Sequence, residues 1–337
     1  MYGLGGPGLA VLTGRWRSNR VIIVALAAFC AINIGSASSP TFATLLATRI
    51  LGGGFAALIS PLAYAMALSL APAEKRGQAL ALVMSGITVA NIIGGPLGTW
   101  IGEHAGWRAS FGVIALVAGL ACIALLMSSL PDSSASQAIS LKDRLAPLRE
   151  PQLLLALAPA FFVGGSFALI YNYIAPLLQS NLHINDISIL LLITGLGTVV
   201  ATQVGGRIID RFGSTLPLVT FLPVLILFES SIAYTTTSWI GAALALFIGG
   251  ASGPAFFIAQ QHRVLSMAPE HANVIAALSS SLNFLAIACS AILGGVALSY
   301  VRVTQLGWIG AGCGLVGMAL LLISFTVSRR MRRARGS

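Results

Sequence analysis

The stretch Ile187–Gly213, ISILLLITGLGTVVATQVGGRIIDRFG, carries no charge as far as Gly206; then Arg207, Asp210 and Arg211 follow in quick succession before Gly213. About 20 apolar residues at about 1.5 Å each span the roughly 30 Å hydrocarbon core of a bilayer. The charged cluster falls where lipid headgroups and water would begin. Working outward, apolar runs of similar length recur near residues 21–37, 42–70, 78–101, 109–130, 152–179, 214–234, 239–262, 272–298 and 304–327. With the opening stretch that makes ten spans. The composition, 57% hydrophobic and 8% charged with mean hydropathy +0.91, leaves too little polar surface to cover a soluble domain. The chain reads as an all-α membrane protein, because stretches long enough to cross the hydrocarbon as helices recur along its whole length, which a globular core would not require.

A net charge of +10 would point to nucleic acid in a soluble protein. Here the basic residues sit between spans. If residues 14–20 are cytoplasmic, sixteen of the nineteen fall on that side, including Lys75, Arg76, Arg149, Arg207, Arg211, Arg263 and the run from Arg329 to Arg335. Only Arg108 and Arg302 fall outside, and Arg49 falls within a span. Short cytoplasmic loops collect Lys and Arg, so the expected C-terminus is cytoplasmic, in a multi-pass protein of the inner (plasma) membrane. The basic tail reads as an anchor to anionic lipid, with no nucleic acid partner. Cys30, Cys122, Cys289 and Cys313 lie in apolar runs without metal-ligand spacing and read as packing residues. His104 and His183 lie in or beside outer loops. There is no HExxH, Walker loop or GxSxG, so the expectation is no enzyme, no metal and no cofactor.

Residues 131–151, from Pro131-Asp132 to Glu150-Pro151, form the longest polar stretch and read as a cytoplasmic linker. The two sides repeat: Gly14-Arg15-Trp16 answers Asp210-Arg211-Phe212, Pro72-Ala73-Glu74 answers Ala268-Pro269-Glu270, Gly94-Gly95 answers Gly294-Gly295, and Gly106-Trp107 answers Gly307-Trp308. The offsets run from 196 (14 to 210) to 201 (106 to 307). Four marks in one order imply two pseudo-repeated helical bundles in the same orientation: residues 1–130, then 152–328, followed by a basic tail at 329–337. The apolar residues 1–14 reach only about 21 Å, too short to cross. The counterpart of the second bundle's start would lie about 45 residues before Met1. The expectation is about 11 transmembrane helices, twelve minus the first.

Gly206-Arg207-Ile208-Ile209-Asp210-Arg211-Phe212-Gly213 is similar to the second-half copy of the cytoplasmic signature of the major facilitator superfamily, G-x-L-a-D-R-x-G. In the first-half copy, Leu12-Thr13-Gly14-Arg15-Trp16, glycine replaces the family's aspartate. The resemblance implies a cytoplasmic gate at Arg15, Gly206, Asp210, Arg211 and Gly213, a latch in which the carboxylate faces the positive N-terminus of a neighbouring helix and the arginine pairs with an acid or a lipid phosphate. Arg49, in Thr48-Arg49-Ile50-Leu51-Gly52-Gly53, resembles the family's R-x-x-x-G element, whose arginine is linked to proton movement. A charge there costs about 2.5–3.5 kcal/mol, so it faces protein or water, or snorkels to the outer interface. Gly86 with Gly94-Gly95-Pro96-Leu97-Gly98 is similar to the fifth-helix signature of exporters, a kink at a packed interface. Thr99 stands where that signature has glycine. The whole resembles the drug:proton antiporter branch, including its sugar-efflux members.

The family resemblance implies proton-coupled efflux of a small organic solute, drug-like or sugar-like, by alternating access, the protein acting as a monomer. Substrate contacts are expected from mid-span polar residues: Asn91 in the first half; Tyr171, Asn172, Tyr173, Gln260, Gln261 and Asn283, with Ser279 to Ser281, in the second. Each could instead bond one helix to another. Glu229, the one acid toward the middle or outer part of a span, reads as an outer-interface residue or a proton relay. The rival from a different class is a non-transporting, transporter-like membrane protein.

Overall fold

The computed structural model describes residues 18–72, 75–128, 151–184, 186–267 and 272–335. Among them are eleven α-helices and no strand. Nine stretches are long and apolar enough to cross a membrane. The chain divides into two compact units, Met1–Asp143 and Arg144–Ser337. Arg15, Gly14 and nearly all of the linker at 131–151 lie outside the described residues.

The first unit contains α1 (Ser18–Ala37), α2 (Phe42–Leu70), α3 (Arg76–Ala105) and α4 (Trp107–Met127). α2 starts sharply because Thr41 and Thr44 form a reciprocal cap, each side-chain oxygen accepting from the other's backbone N–H. α3 carries Pro96 inside it, without a backbone donor at that point. Gly106, at φ +82°, makes the corner into α4 that a side chain would resist. α1 packs on α2 and α4. The Cys30 thiol donates to Ala115 O at 3.2 Å, and a Cβ on Gly119 would only just touch Cys30 Sγ, so small residues set how closely α1 and α4 approach.

The second unit contains α5 (Pro151–Asn172), α6 (Ile174–Leu182), α7 (Ser188–Phe212), α8 (Thr215–Thr235), α9 (Trp239–Leu265), α10 (Ala272–Ala297) and α11 (Leu306–Arg335). The run read as one span at 152–179 is two helices, broken at Tyr173, whose N–H bonds Ile170 O while Leu177 N–H bonds Tyr173 O. α7 and α9 meet backbone to backbone. A Cβ on Gly197 would fall 2.3 Å from Phe247 O, and one on Gly250 2.3 Å from Thr194 O. The Thr198 hydroxyl donates across that seam to Gly250 O at 3.1 Å. Phe256, Leu218, Leu222, Leu225 and Ile232 form the sealed core. Ser238 caps α9 by accepting from Gly241 N–H. α11 continues to Arg335, so the segment read as a tail is helical as far as that residue; its side chains from Arg329 on lie outside the described set.

Two expectations are corrected. Arg263, counted among the loop charges, lies inside α9 and is buried, because the helix runs on to Leu265 and packs that face against the last helix. Glu229, read as an outer-interface residue, is wholly buried within the second unit. Hydropathy registers the carboxyl but not the glycines on α11 that let the helix close over it.

Candidate functional site

In the second unit, α5, α9 and α10 line an open cavity of about 360 Å³, within the range of small-ligand sites. Gln260, Gln261 and Asn283, three of the six candidates from this half, line it together with Ser279 and Ser280. Its apolar wall includes Leu157, Ala160 and Phe257, and none of its lining side chains is charged. Gly164 lets α9 and α10 reach α5 here: a Cβ would lie 2.8 Å from the Phe257 ring and 3.2 Å from Asn283 Oδ1. Gln260 is 2% exposed. Its Nε2 donates to Ala156 O, which fixes the orientation of the amide, and its Oε1 is buried without a partner. A buried acceptor left open is costly, about 1–3 kcal/mol.

Tyr171, Asn172 and Tyr173 are placed elsewhere, at the break between α5 and α6. Asn172 Nδ2 donates to Ser290 Oγ at 3.3 Å and the Tyr173 hydroxyl donates to Ala291 O at 2.7 Å. The Tyr173 ring lies against Gly294, where any Cβ would collide with it, which accounts for one glycine of the Gly294-Gly295 pair. Tyr171 stacks on Phe167 with ring centroids 6.1 Å apart. Asn172 and Tyr173 thus fasten the broken helix to α10, the helix-to-helix alternative of the sequence reading. Asn91 belongs to α3, with its side chain outside the described residues.

In the first unit Arg49 points from α2 toward α1 and α4. Its Nη2 donates to Asn33 Oδ1 at 3.1 Å and to Ser36 Oγ, and its guanidinium lies 4.4 Å from the centroid of the Phe111 ring. Asn33 and Ser36 are fully buried and share one face of α1 at i, i+3. Ser36 also donates to Ile32 O and to Thr48 Oγ1. No carboxylate reaches Arg49 among the described residues, and its Nε is buried without a partner. The sequence reading missed Asn33, Ser36 and Phe111; the signal was two small polar residues on one helical face within an otherwise apolar span.

Gly206, Asp210, Arg211 and Gly213 end α7. Gly213, at φ +73°, closes the helix by donating its N–H to Ile209 O at 2.8 Å. Asp210 and Arg211 are exposed, with the Arg211 guanidinium 5.2 Å from the Phe212 ring centroid. Gly86, Gly95 and Pro96 lie on α3. A Cβ on Gly86 would meet no described atom within 4 Å, whereas Gly98 O accepts the Ser110 hydroxyl of α4 at 3.0 Å. No group of His, Cys, Asp and Glu among the described residues could hold a metal ion.

Comparison with known proteins identifies the family. The sequence pattern of the Major Facilitator Superfamily matches residues 1–291. The inner membrane transport protein YdhP of Escherichia coli is 32% identical over 334 residues, 97% of this chain and 84% of that protein. A probable sugar efflux transporter of Mannheimia succiniciproducens is 29% identical over 318 residues, 94% of this chain and 79% of its own length. The crystal structure of a mutant of the nucleoside transporter NupG superposes with a TM-score of 0.78 at 14% identity, covering 96% of this chain and 89% of that one; the shared feature is the fold. With the family pattern running across most of its length and a relative 32% identical over 97% of it, the chain belongs to the major facilitator superfamily.

Proposed function

We propose that this transporter-family protein exports a small, uncharged organic solute bearing hydroxyl or N–H donors, by alternating access driven by protons, from the inner membrane with its C-terminus cytoplasmic. The observation that carries this reading is the pocket formed by α5, α9 and α10, lined by Gln260, Gln261, Asn283 and two serines with no charged lining side chain. Such a lining favours a neutral solute, since a charged one would lose its hydration without gaining a counter-ion. Kinship to a probable sugar efflux transporter supports the same class, sugars being uncharged and rich in hydroxyls. Arg49 is the residue proposed for proton coupling: a cation tied only to neutral dipoles can take up or release a carboxylate as the cycle proceeds. Asp210 and Arg211 are proposed as the cytoplasmic latch, with Gly206 and Gly213 framing it, and Gly86, Gly95 and Pro96 as the flexible part of α3.

The test is flux in proteoliposomes of the purified protein under an imposed pH gradient, scanned over sugars, sugar alcohols, and cationic and anionic drugs. Gradient-driven movement of a neutral solute is expected. Gln260→Leu is expected to raise the half-saturating concentration about five- to tenfold, the equivalent of about 1–1.4 kcal/mol. Flux indifferent to the gradient would remove proton coupling; a preference for cations would remove the assignment of solute class.

A further inference from the structure

Glu229 lies on α8 and is not among the residues lining the solute cavity. It is 0% exposed. Its carboxyl is directed at α11: a Cβ on Gly314 would lie 3.3 Å from Oε2, and one on Gly310 3.6 Å from the carboxyl carbon. Gly307 lets α11 approach the α8 backbone itself, since a Cβ there would collide with the carbonyl of Glu229. From α5, Ser166 stands beside the carboxyl; it is fully buried and its own hydroxyl donates to Val163 O at 2.9 Å. Neither carboxyl oxygen has a well-formed hydrogen bond among the described residues. From α11 the Cys313 thiol also faces it. Tyr171 on α5, Arg207, Asp210 and Arg211 on α7, His262 and Arg263 on α9 and Arg302 before α11 make no ion pair or hydrogen bond with it.

A carboxylate sealed in a helical seam with no cation and no donor is too costly to keep as an ion; the group takes a proton or recruits a cation. A metal cation is the poorer occupant, because hard cations want six or more oxygens around them. This seam offers two carboxyl oxygens and one hydroxyl among glycines and the side chain of Ile226.

The geometry points to Glu229 as a proton-binding site of the second unit, its occupancy linked to closure of the α5–α8–α11 seam. The carboxylate takes one proton from water, forming an O–H on one oxygen, and that O–H is offered to the lone pairs of Ser166 Oγ while the Ser166 hydroxyl keeps its proton and goes on donating it to Val163 O. Return of the proton to water leaves an anion facing Gly310 and Gly314, and water must enter the seam to solvate it. The seam therefore closes with the proton bound and loosens without it.

The measurement is infrared spectroscopy of the purified full chain in lipid nanodiscs at neutral pH, where a protonated carboxyl absorbs apart from carboxylates and backbone amides. The wild type is expected to show one such band, lost in Glu229→Gln, retained in Asp210→Asn, and displaced in Glu229→Asp. The Asp variant assigns the band even if the Gln variant does not fold. A wild type with no protonated-carboxyl band, or a band that survives Glu229→Gln or stays unmoved in Glu229→Asp, overturns the proposal. Since the readout needs no transported solute, it stands or falls apart from the exporter reading.

Discussion

Arg49 and Arg263 sit in different units and are gripped in the same way. Each guanidinium donates to a serine hydroxyl on a neighbouring helix, Ser36 on α1 for one and Ser324 on α11 for the other. Each lies over a phenylalanine ring, at 4.4 Å from Phe111 and 4.3 Å from Phe325. Neither meets a carboxylate among the described residues. The difference lies in what surrounds the grip. Arg49 has a second oxygen, Asn33 Oδ1, and stays partly exposed. Arg263 is 8% exposed and has no second oxygen; each guanidinium leaves one buried nitrogen without a partner, Nε of Arg49 and Nη1 of Arg263. Cation–ring contacts of this kind give about 0.5–2 kcal/mol, enough to seat a guanidinium but less than a desolvated charge costs. A partly exposed cation can exchange partners during a cycle. A sealed one can do so only if its helices separate.

The comparison breaks most visibly at function. Arg49→Met is expected to slow gradient-driven flux about a hundredfold, the equivalent of about 2.7 kcal/mol, while Arg263→Met leaves it within about twofold. Initial rates in proteoliposomes decide this, and equal losses in both would show that the two arginines share one role. Next in size is a stability effect. Arg263→Ala opens a void between α9 and α11 and should cost about 2 kcal/mol, whereas Arg263→Met fills the same space and should melt no lower than the wild type. Thermal unfolding in detergent reads both. The smallest effect separates the two serines. Ser324→Ala strands a second buried nitrogen of Arg263 and should cost about 1 kcal/mol; Ser36→Ala leaves Asn33 as acceptor and should cost about 0.5 kcal/mol.

The helices were legible because span length and charge placement are one-dimensional quantities, and Ile187–Gly213 shows both: an uncharged run, then a polar end closed at Gly213. The cavity was partly legible. Gln260, Gln261 and Asn283 stood out as amides within apolar runs, and the packing of α5, α9 and α10 brings them together. Tyr173 stood out equally and went elsewhere, because a polar side chain in a span satisfies whichever neighbour is nearest, here Ala291 O. Which of the two happens depends on the rotation of each helix, and that is set by contacts such as Gly197 against Phe247 that no linear pattern announces. The same cause hid Glu229 and Arg263. Both look like charges outside the core until a facing helix closes over them, through Gly310 and Gly314 at Glu229 and through Ser324 and the Phe325 ring at Arg263.

The uncharged lining of the cavity also has an electrical consequence. Each elementary charge carried across a membrane couples to the voltage by about 2.3 kcal/mol per 100 mV. On the proposed reading a neutral solute carries none, and the side chains lining the cavity add none of their own. Current recorded during turnover would then count only the coupling ions, so the ratio of current to solute flux gives the stoichiometry of the cycle directly.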